Sequence, residues 1–282
     1  MAQLAENRYG KSRVRVVRIH RQGSIHEFEE WSVEILLSGD FLSCFADGDN
    51  SKILPTDTMK NTVYFLARKS RATCIEAFAK ELVEHLLTHN PQVSTAEVTI
   101  QERSWQHLHV AGKPHPTTFS QTGNEVQTTR VTQKRSENPH IESGLSDLVL
   151  MKTAGSAFEG YLHDPLTTLP ETSDRLFGTS LTANWTYLSG SLSFSSVRNS
   201  IRESLLTMFA SHRSKSVQHT LYAMAEGALA AAPQISEITL TMPNKHCLLV
   251  DLSPFGQDNP NHIFVPIDEP HGTIEARVCR GS

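Results

Sequence analysis

The hydrophobic period of this chain switches from two residues to about 3.6 and back again, and it does so twice. Arg13 to His20 alternates basic and β-branched residues, and Ile25 to Leu37 alternates again after Arg21-Gln22-Gly23. This is the pattern of two half-buried strands joined as an antiparallel hairpin. Past the turn-rich Asp47-Gly48-Asp49-Asn50-Ser51, the apolar residues Met59, Val63, Leu66 and Ala67 fall at helical spacing. Ile75, Phe78, Ala79, Leu82 and Leu86 mark a second helix, with Thr73 and Glu76 spaced as a capping box ahead of it. Alternation returns over Ala96 to Val110 and Phe119 to Thr132, so the first half reads β-β-α-α-β-β.

From about residue 140 the same order recurs. Gly144 to Thr153 and Leu181 to Ser189 read as strands, separated by a long insert rich in Gly, Pro, Thr and Asp. Val197, Ile201, Leu205 and Met208 share one helical face, and Val217, Leu221, Met224 and Ala228 share another, which Pro233 closes. Ile235 to Leu252 and Ile263 to Cys279 supply the last strands. At roughly 100 to 200 residues per domain, 282 residues divide into two domains, 1–138 and 139–282. The expected class is α+β, each domain an antiparallel four-stranded sheet carrying two helices. Two such sheets leave exposed strand edges, and closure with other subunits is one remedy, so an oligomer is expected.

Composition removes several function classes. With 26 Lys+Arg against 30 Asp+Glu the formal charge is −4, which offers no general attraction to nucleic acid or anionic membranes. No apolar run approaches the ~18 residues of a spanning helix, and Met1 to Gly10 has no signal-like apolar core. The four cysteines, Cys44, Cys74, Cys247 and Cys279, lie far apart, without a disulfide framework or a Cys-x-x-Cys metal motif. A reducing cytoplasm fits best. Among 14 histidines, neither His107-x-His109 nor His85/His89 belongs to a metal pattern such as His-Glu-x-x-His. No Gly-rich nucleotide loop is present either.

Three polar clusters remain. The stretch Asn50 to Thr62 packs hydroxyls, a carboxylate and amides into a helix start, which suits N-capping and equally suits binding of an anion or polar ligand. Met242-Pro243-Asn244-Lys245-His246 interrupts a strand pair, as a turn or bulge would and as a functional segment would. Tyr9-Gly10-Lys11 lies directly before the first strand, where a lone lysine is ordinarily solvated.

Taken in order, these blocks resemble the urate oxidase (uricase) family: Tyr9-Gly10-Lys11; Asp49-Asn50-Ser51 with Thr56-Asp57-Thr58-x-Lys60-Asn61-Thr62; Gly112-Lys113-Pro114-His115-Pro116; Phe158-x-Gly160; Asp164 and Thr167-Thr168-Leu169; Asp174-Arg175; Ser216-Val217-Gln218-x-Thr220-x-Tyr222-x-Met224; and Pro243-Asn244-Lys245-His246. The resemblance spans about residues 7 to 280. It implies tandem tunnelling-fold (T-fold) units closing into a barrel across subunits, and a homotetramer with active sites at subunit interfaces. The implied reaction is urate + O2 + H2O giving 5-hydroxyisourate + H2O2, with neither metal nor organic cofactor. Carried over by position, Arg175 and Gln218 clamp urate, Phe158 stacks on it, and the Val217 backbone binds a further atom. Thr56 and Asp57 reach in from the neighbouring subunit, and Asn244 holds O2, peroxide or water. Lys11, Thr56 and His246 form the proton relay. Pro55 and His163 depart from the usual pattern, and His163 leaves open which cation, if any, partners Asp164. The C-terminal Cys279-Arg280-Gly281-Ser282 is not a peroxisomal tripeptide, which favours a bacterial-type cytoplasmic protein. Alternatives to the oxidase are another purine or pterin enzyme of the same fold, several of which use zinc, or a non-catalytic urate-binding paralogue.

Overall fold

Alternating apolar residues become strands wherever one face finds a helix layer to cover it. The structure, a computed structural model, describes residues 3–188 and 192–281. Met1, the expected strand end Ser189 and the C-terminal Ser282 lie outside the described residues. The chain forms two compact units, the first ending at Gly144 and the second starting at Leu145.

In the first unit, β1 (Tyr9–Gln22) and β2 (Ile25–Gly39) form the expected hairpin. After the short α1 (Leu42–Asp47) come α2 (Thr56–Lys69) and α3 (Ile75–His89), then β3 (Val93–Val110) and β4 (Lys113–Lys134). All neighbouring strands of this unit pair antiparallel in the order β1-β2-β3-β4. Trp31, Val33, Ile35 and Leu37 occupy every second position of β2 and are buried with Phe78, Leu82 and Leu86 of α3. Because Leu82 is fully buried, Leu82→Ala is expected to lower stability by about 2–5 kcal/mol. A denaturation midpoint unchanged by that substitution would contradict this packing.

β5 (His140–Lys152) begins just before the boundary and runs into the second unit, where β6 (Phe177–Tyr187), β7 (Ile235–Leu249) and β8 (Phe264–Cys279) follow in chain order, with α4 (Phe194–Ser211) and α5 (Val217–Ala231) inserted after β6. Its core joins Leu181 and Trp185 of β6 to Ile201 and Leu205 of α4 and to Leu221 and Met224 of α5. Met208, expected inside, is only partly buried, and Phe209 takes the buried position beside it. Mostly antiparallel sheet with few helices places the chain in the α+β class. Among the described residues no helix is long and apolar enough to cross a membrane.

Local departures have physical causes. Thr73 does not cap α3. The helix starts one residue later than a capping box requires, with Cys74 as N-cap and no side-chain cap bond. Glu76 then points into the protein, fully buried, and accepts a 2.7 Å hydrogen bond from the Ser143 hydroxyl. Neither Thr56 nor Asp57 caps α2. Pro55 is the N-cap residue, with φ −56°, at a helix end where a missing N–H costs nothing. Tyr9-Gly10-Lys11 lies inside β1 and not ahead of it.

Candidate functional site

The insert between β5 and β6 is organised by backbone hydrogen bonds and not by a hydrophobic stripe. Phe158 and Thr172 exchange two N–H to carbonyl bonds, of 2.8 and 3.1 Å, and the Arg175 N–H donates to the Ser156 carbonyl at 2.7 Å. The Asp174 carboxylate accepts from the Ser156 N–H at 3.1 Å. On its other side the same short segment meets Ser214: the Ala157 N–H donates to the Ser214 carbonyl at 2.8 Å, and the Ser214 N–H donates to Gly155 at 2.9 Å. Phe158 and Arg175 are thereby fixed beside the chain that enters α5.

Val217 and Gln218 are the first two residues of α5. Ser216 caps the helix by accepting from the His219 N–H at 3.1 Å. The amides of Val217 and Gln218 have no carbonyl to bond within the helix, so they remain suited to an acceptor. Val217 buries its side chain in the core, which leaves its main chain for recognition. Gln218 is exposed and carries both a donor and an acceptor.

A 530 Å³ cavity of this unit is lined by Phe158, Arg175, Asn244 and His246, with Leu248 and Phe264 adding apolar wall. That size and mixed lining suit a small flat molecule. Arg175 sits with its guanidinium carbon 5.1 Å from the Phe158 ring centroid. Its Nε is buried without a hydrogen-bond partner among the described residues, and burial pushes its pKa below the ordinary arginine value. A desolvated cation with an unused donor favours an anionic acceptor.

The segment expected as a turn or bulge is continuous β7 strand that lines the cavity, and the bulge lies opposite it in β8. Asn244 pairs with Gly272, but the next pair is His246 with Ile267, so residues 268–271 of β8 stand opposite Lys245 alone. On the other side of β7, Asn244 lies opposite Thr179 of β6. Asn244 and His246, two positions apart on β7, share one face of the strand and border the same cavity.

Lys11, Thr56 and Asp57 belong to the first unit. Lys11 pairs with Ile35, after which the register of β1 slips before Val14 pairs with Val33. A side chain at the preceding Gly10 would put its Cβ 1.7 Å from the Ile35 carbonyl oxygen, so only glycine permits this approach of β1 to β2. The Tyr9 hydroxyl accepts from the Leu54 N–H at 2.8 Å and faces the Leu54 carbonyl at 3.2 Å. It thus ties the start of β1 to the entrance of α2. Thr56 opens α2 and is half-buried. The Asp57 carboxylate is held below its ordinary pKa chiefly by the Lys60 ammonium, with smaller help from Asn61 and Lys11. These three residues therefore form one cluster, while the other six predicted residues, Phe158, Arg175, Val217, Gln218, Asn244 and His246, are carried by the second unit.

The question of what partners Asp164 has a local answer. The Asp164 carboxylate accepts from the Leu166 N–H at 2.8 Å and the Thr167 hydroxyl at 2.9 Å, and these donors hold its pKa low. His163 lies 3.7 Å from Glu171 instead. Among the described residues no group of three or more His, Cys, Asp or Glu is placed to hold a metal ion. His107 faces the His115 carbonyl at 2.8 Å, and His85 stacks on His89 with ring centroids 4.0 Å apart.

A larger groove of 740 Å³ beside β1 and the end of α2 holds none of the predicted residues. Its buried Arg18 already faces the Ser70 and Ala72 carbonyls and Glu29 at 3.4–3.5 Å. Its chemistry is therefore largely spent on the fold, and the smaller cavity is the better candidate. Asp174 and Ser214, which brace Phe158 and Arg175, escaped the sequence reading apart from the adjacency of Asp174 to Arg175. A backbone acceptor leaves no mark on side-chain periodicity.

The uricase family model matches residues 7–132 and 141–275. The uricase of Dictyostelium discoideum is 38% identical over 283 residues, covering 99% of this chain and 98% of its own length. That of Arthrobacter globiformis is 39% identical, covering 98% of this chain and 90% of its own length. A crystal structure of uricase from Arthrobacter globiformis superposes with a TM-score of 0.94 at 38% identity, covering 99% of this chain and 96% of that chain.

Proposed function

We propose that this chain, which belongs to the uricase family, oxidises urate at the Phe158–Arg175 cavity, forming 5-hydroxyisourate and H2O2 from urate, O2 and water. The observation that carries the placement is the buried, unpartnered Nε of Arg175 beside an aromatic wall. Urate is flat, anionic and edged with carbonyls and ring nitrogens. Arg175 and the Gln218 amide grip two of its edges, the Val217 N–H binds another atom, and Phe158 takes its face.

Substrate supplies the electrons. Urate gives up two and O2 takes them; the oxygen of water stays in 5-hydroxyisourate, and the two protons released leave with the peroxide as H2O2. The chain's task is to hold urate and oxygen together, move protons and stabilise developing charge, without metal or organic cofactor. Lys11 accepts the first proton, which passes by way of Thr56 to His246 and back to peroxide. Asn244 holds O2, and afterwards water, over the ring by its side-chain amide.

The division of the predicted residues into two clusters on two units supports a site completed by a second copy, with Lys11, Thr56 and Asp57 contributed by the neighbouring subunit. β1 ends the strand order of the first unit and β8 that of the second, so each presents backbone groups to a further strand. A homotetramer of tandem T-fold domains, 1–138 and 139–282, closes those edges into a barrel. The test is loss of the ultraviolet absorbance of urate together with peroxide release in the presence of EDTA. Urate consumption with stoichiometric peroxide is expected, whereas no peroxide, or activity abolished by the chelator, would reject the reading.

A further inference from the structure

We propose that Tyr161 is a positioning residue for substrate stacking: its ring backs Phe158 on the side away from the cavity and sets the plane on which the purine lies. This rests on the reading of Phe158 as the stacking face. The two rings are stacked, with centroids 4.7 Å apart and planes 15° apart, and the His163 imidazole continues the ladder at 4.8 Å and 22°. Phe158 lines the cavity, whereas Tyr161 and His163 are not among its lining residues. The ladder therefore runs outward from the cavity wall.

Its outer rungs are tied to the segment that returns along the insert. The Tyr161 hydroxyl donates to the Leu169 carbonyl. Glu171 accepts from the Gly160 N–H at 2.9 Å, and the same carboxylate oxygen lies 3.7 Å from His163 Nε2. Gly160 has φ +70°, a left-handed conformation that costs glycine little. It reverses the chain so that residues 158 and 161 bring their rings face to face.

A phenyl ring at the edge of an open cavity retains rotameric freedom that a stacking ligand must remove on binding. A second ring 4.7 Å behind it removes that freedom beforehand, so the purine meets a surface already in its bound orientation. Tyr161 touches neither substrate nor oxygen in this arrangement and acts only through Phe158.

The test uses the full-length protein as purified, with urate as substrate and xanthine, a flat purine lacking the C8 oxygen, as a binding probe. Tyr161→Ala is expected to raise both the KM for urate and the Kd for xanthine about fivefold, with kcat changed less than about twofold. Tyr161→Phe keeps the ring and is expected to stay within about twofold of the parent on all three. The proposal is overturned if Tyr161→Ala binds xanthine as the parent does. It is equally overturned if Tyr161→Phe is as impaired as Tyr161→Ala, or if the alanine variant loses kcat, affinity and thermal midpoint together as a merely unstable protein would. A parent that neither oxidises urate nor binds xanthine would sink the urate reading and this proposal with it. An active parent beside an unaffected Tyr161→Ala would remove only the role of Tyr161.

Discussion

Arg175→Ala weakens urate binding by about 2–5 kcal/mol, a rise of roughly 30-fold to several thousandfold in the concentration for half-saturation. The size follows from where the guanidinium sits. It is half-buried, its Nε has no partner among the described residues, and the neighbouring Asp174 carboxylate is engaged by the Ser156 N–H. Anionic urate would supply the acceptor this desolvated cation lacks, and alanine deletes both the charge and the two-pronged geometry. Arg175→Lys keeps the charge but not the fork, so its affinity should fall between parent and alanine variant. Xanthine binding measured beside urate kinetics separates ground-state grip from turnover. Affinity within threefold of the parent for Arg175→Ala would mean that the clamp lies elsewhere.

Lys11→Met produces the opposite signature, a fall in kcat of about 10²- to 10⁴-fold, the usual worth of a positioned acid–base group, with xanthine affinity little changed. Lys11 lies on β1 close enough to Asp57 of α2 to act on its carboxylate, apart from the residues that line the cavity. Removing its amine should therefore leave the aromatic and guanidinium contacts intact. If Lys11→Met and Arg175→Ala shifted KM and kcat in the same proportion, the division of roles would fail. The same pair tests whether the site is shared. At urate concentrations far below half-saturation of Arg175→Ala neither variant alone supports much turnover, yet mixed oligomers of the two contain some interfaces with both halves intact and should recover part of the activity. Hybrids verified by mass that remain inactive would rule out a site completed by a neighbouring subunit.

The secondary structure was legible because burial on one face imposes a period. Ile35 and Leu37 on β2, and Phe78 and Leu82 on α3, announced strand and helix through spacing alone, and all four are fully buried. Boundaries were less legible. Glu76 was read as half of a capping box, and it turned inward to Ser143, a partner 67 positions away that no local pattern announces. Thr56 looked like a cap, but Pro55 fills that position, and a helix start tolerates the fixed φ and missing N–H of proline.

The site divides along the same line. Which residues are candidates for the chemistry came from the resemblance of the motif order to the uricase family: the Asp174-Arg175 pair, the polar run after Ser216, and the proline-interrupted Asn244-Lys245-His246. An anionic planar substrate is what that resemblance implies, and residue types and spacing alone left each block open between a structural and a functional role. How Phe158 comes to face Arg175 was not readable. That placement depends on main-chain bonds from Ser156 and Phe158 to residues 172–175 and on the bonds of Gly155 and Ala157 to Ser214. Main-chain donors and acceptors are the same at every position but proline, so the sequence carries the chemistry of the side chains, while the pairing that aims them emerges only when distant segments compete for the same hydrogen bonds.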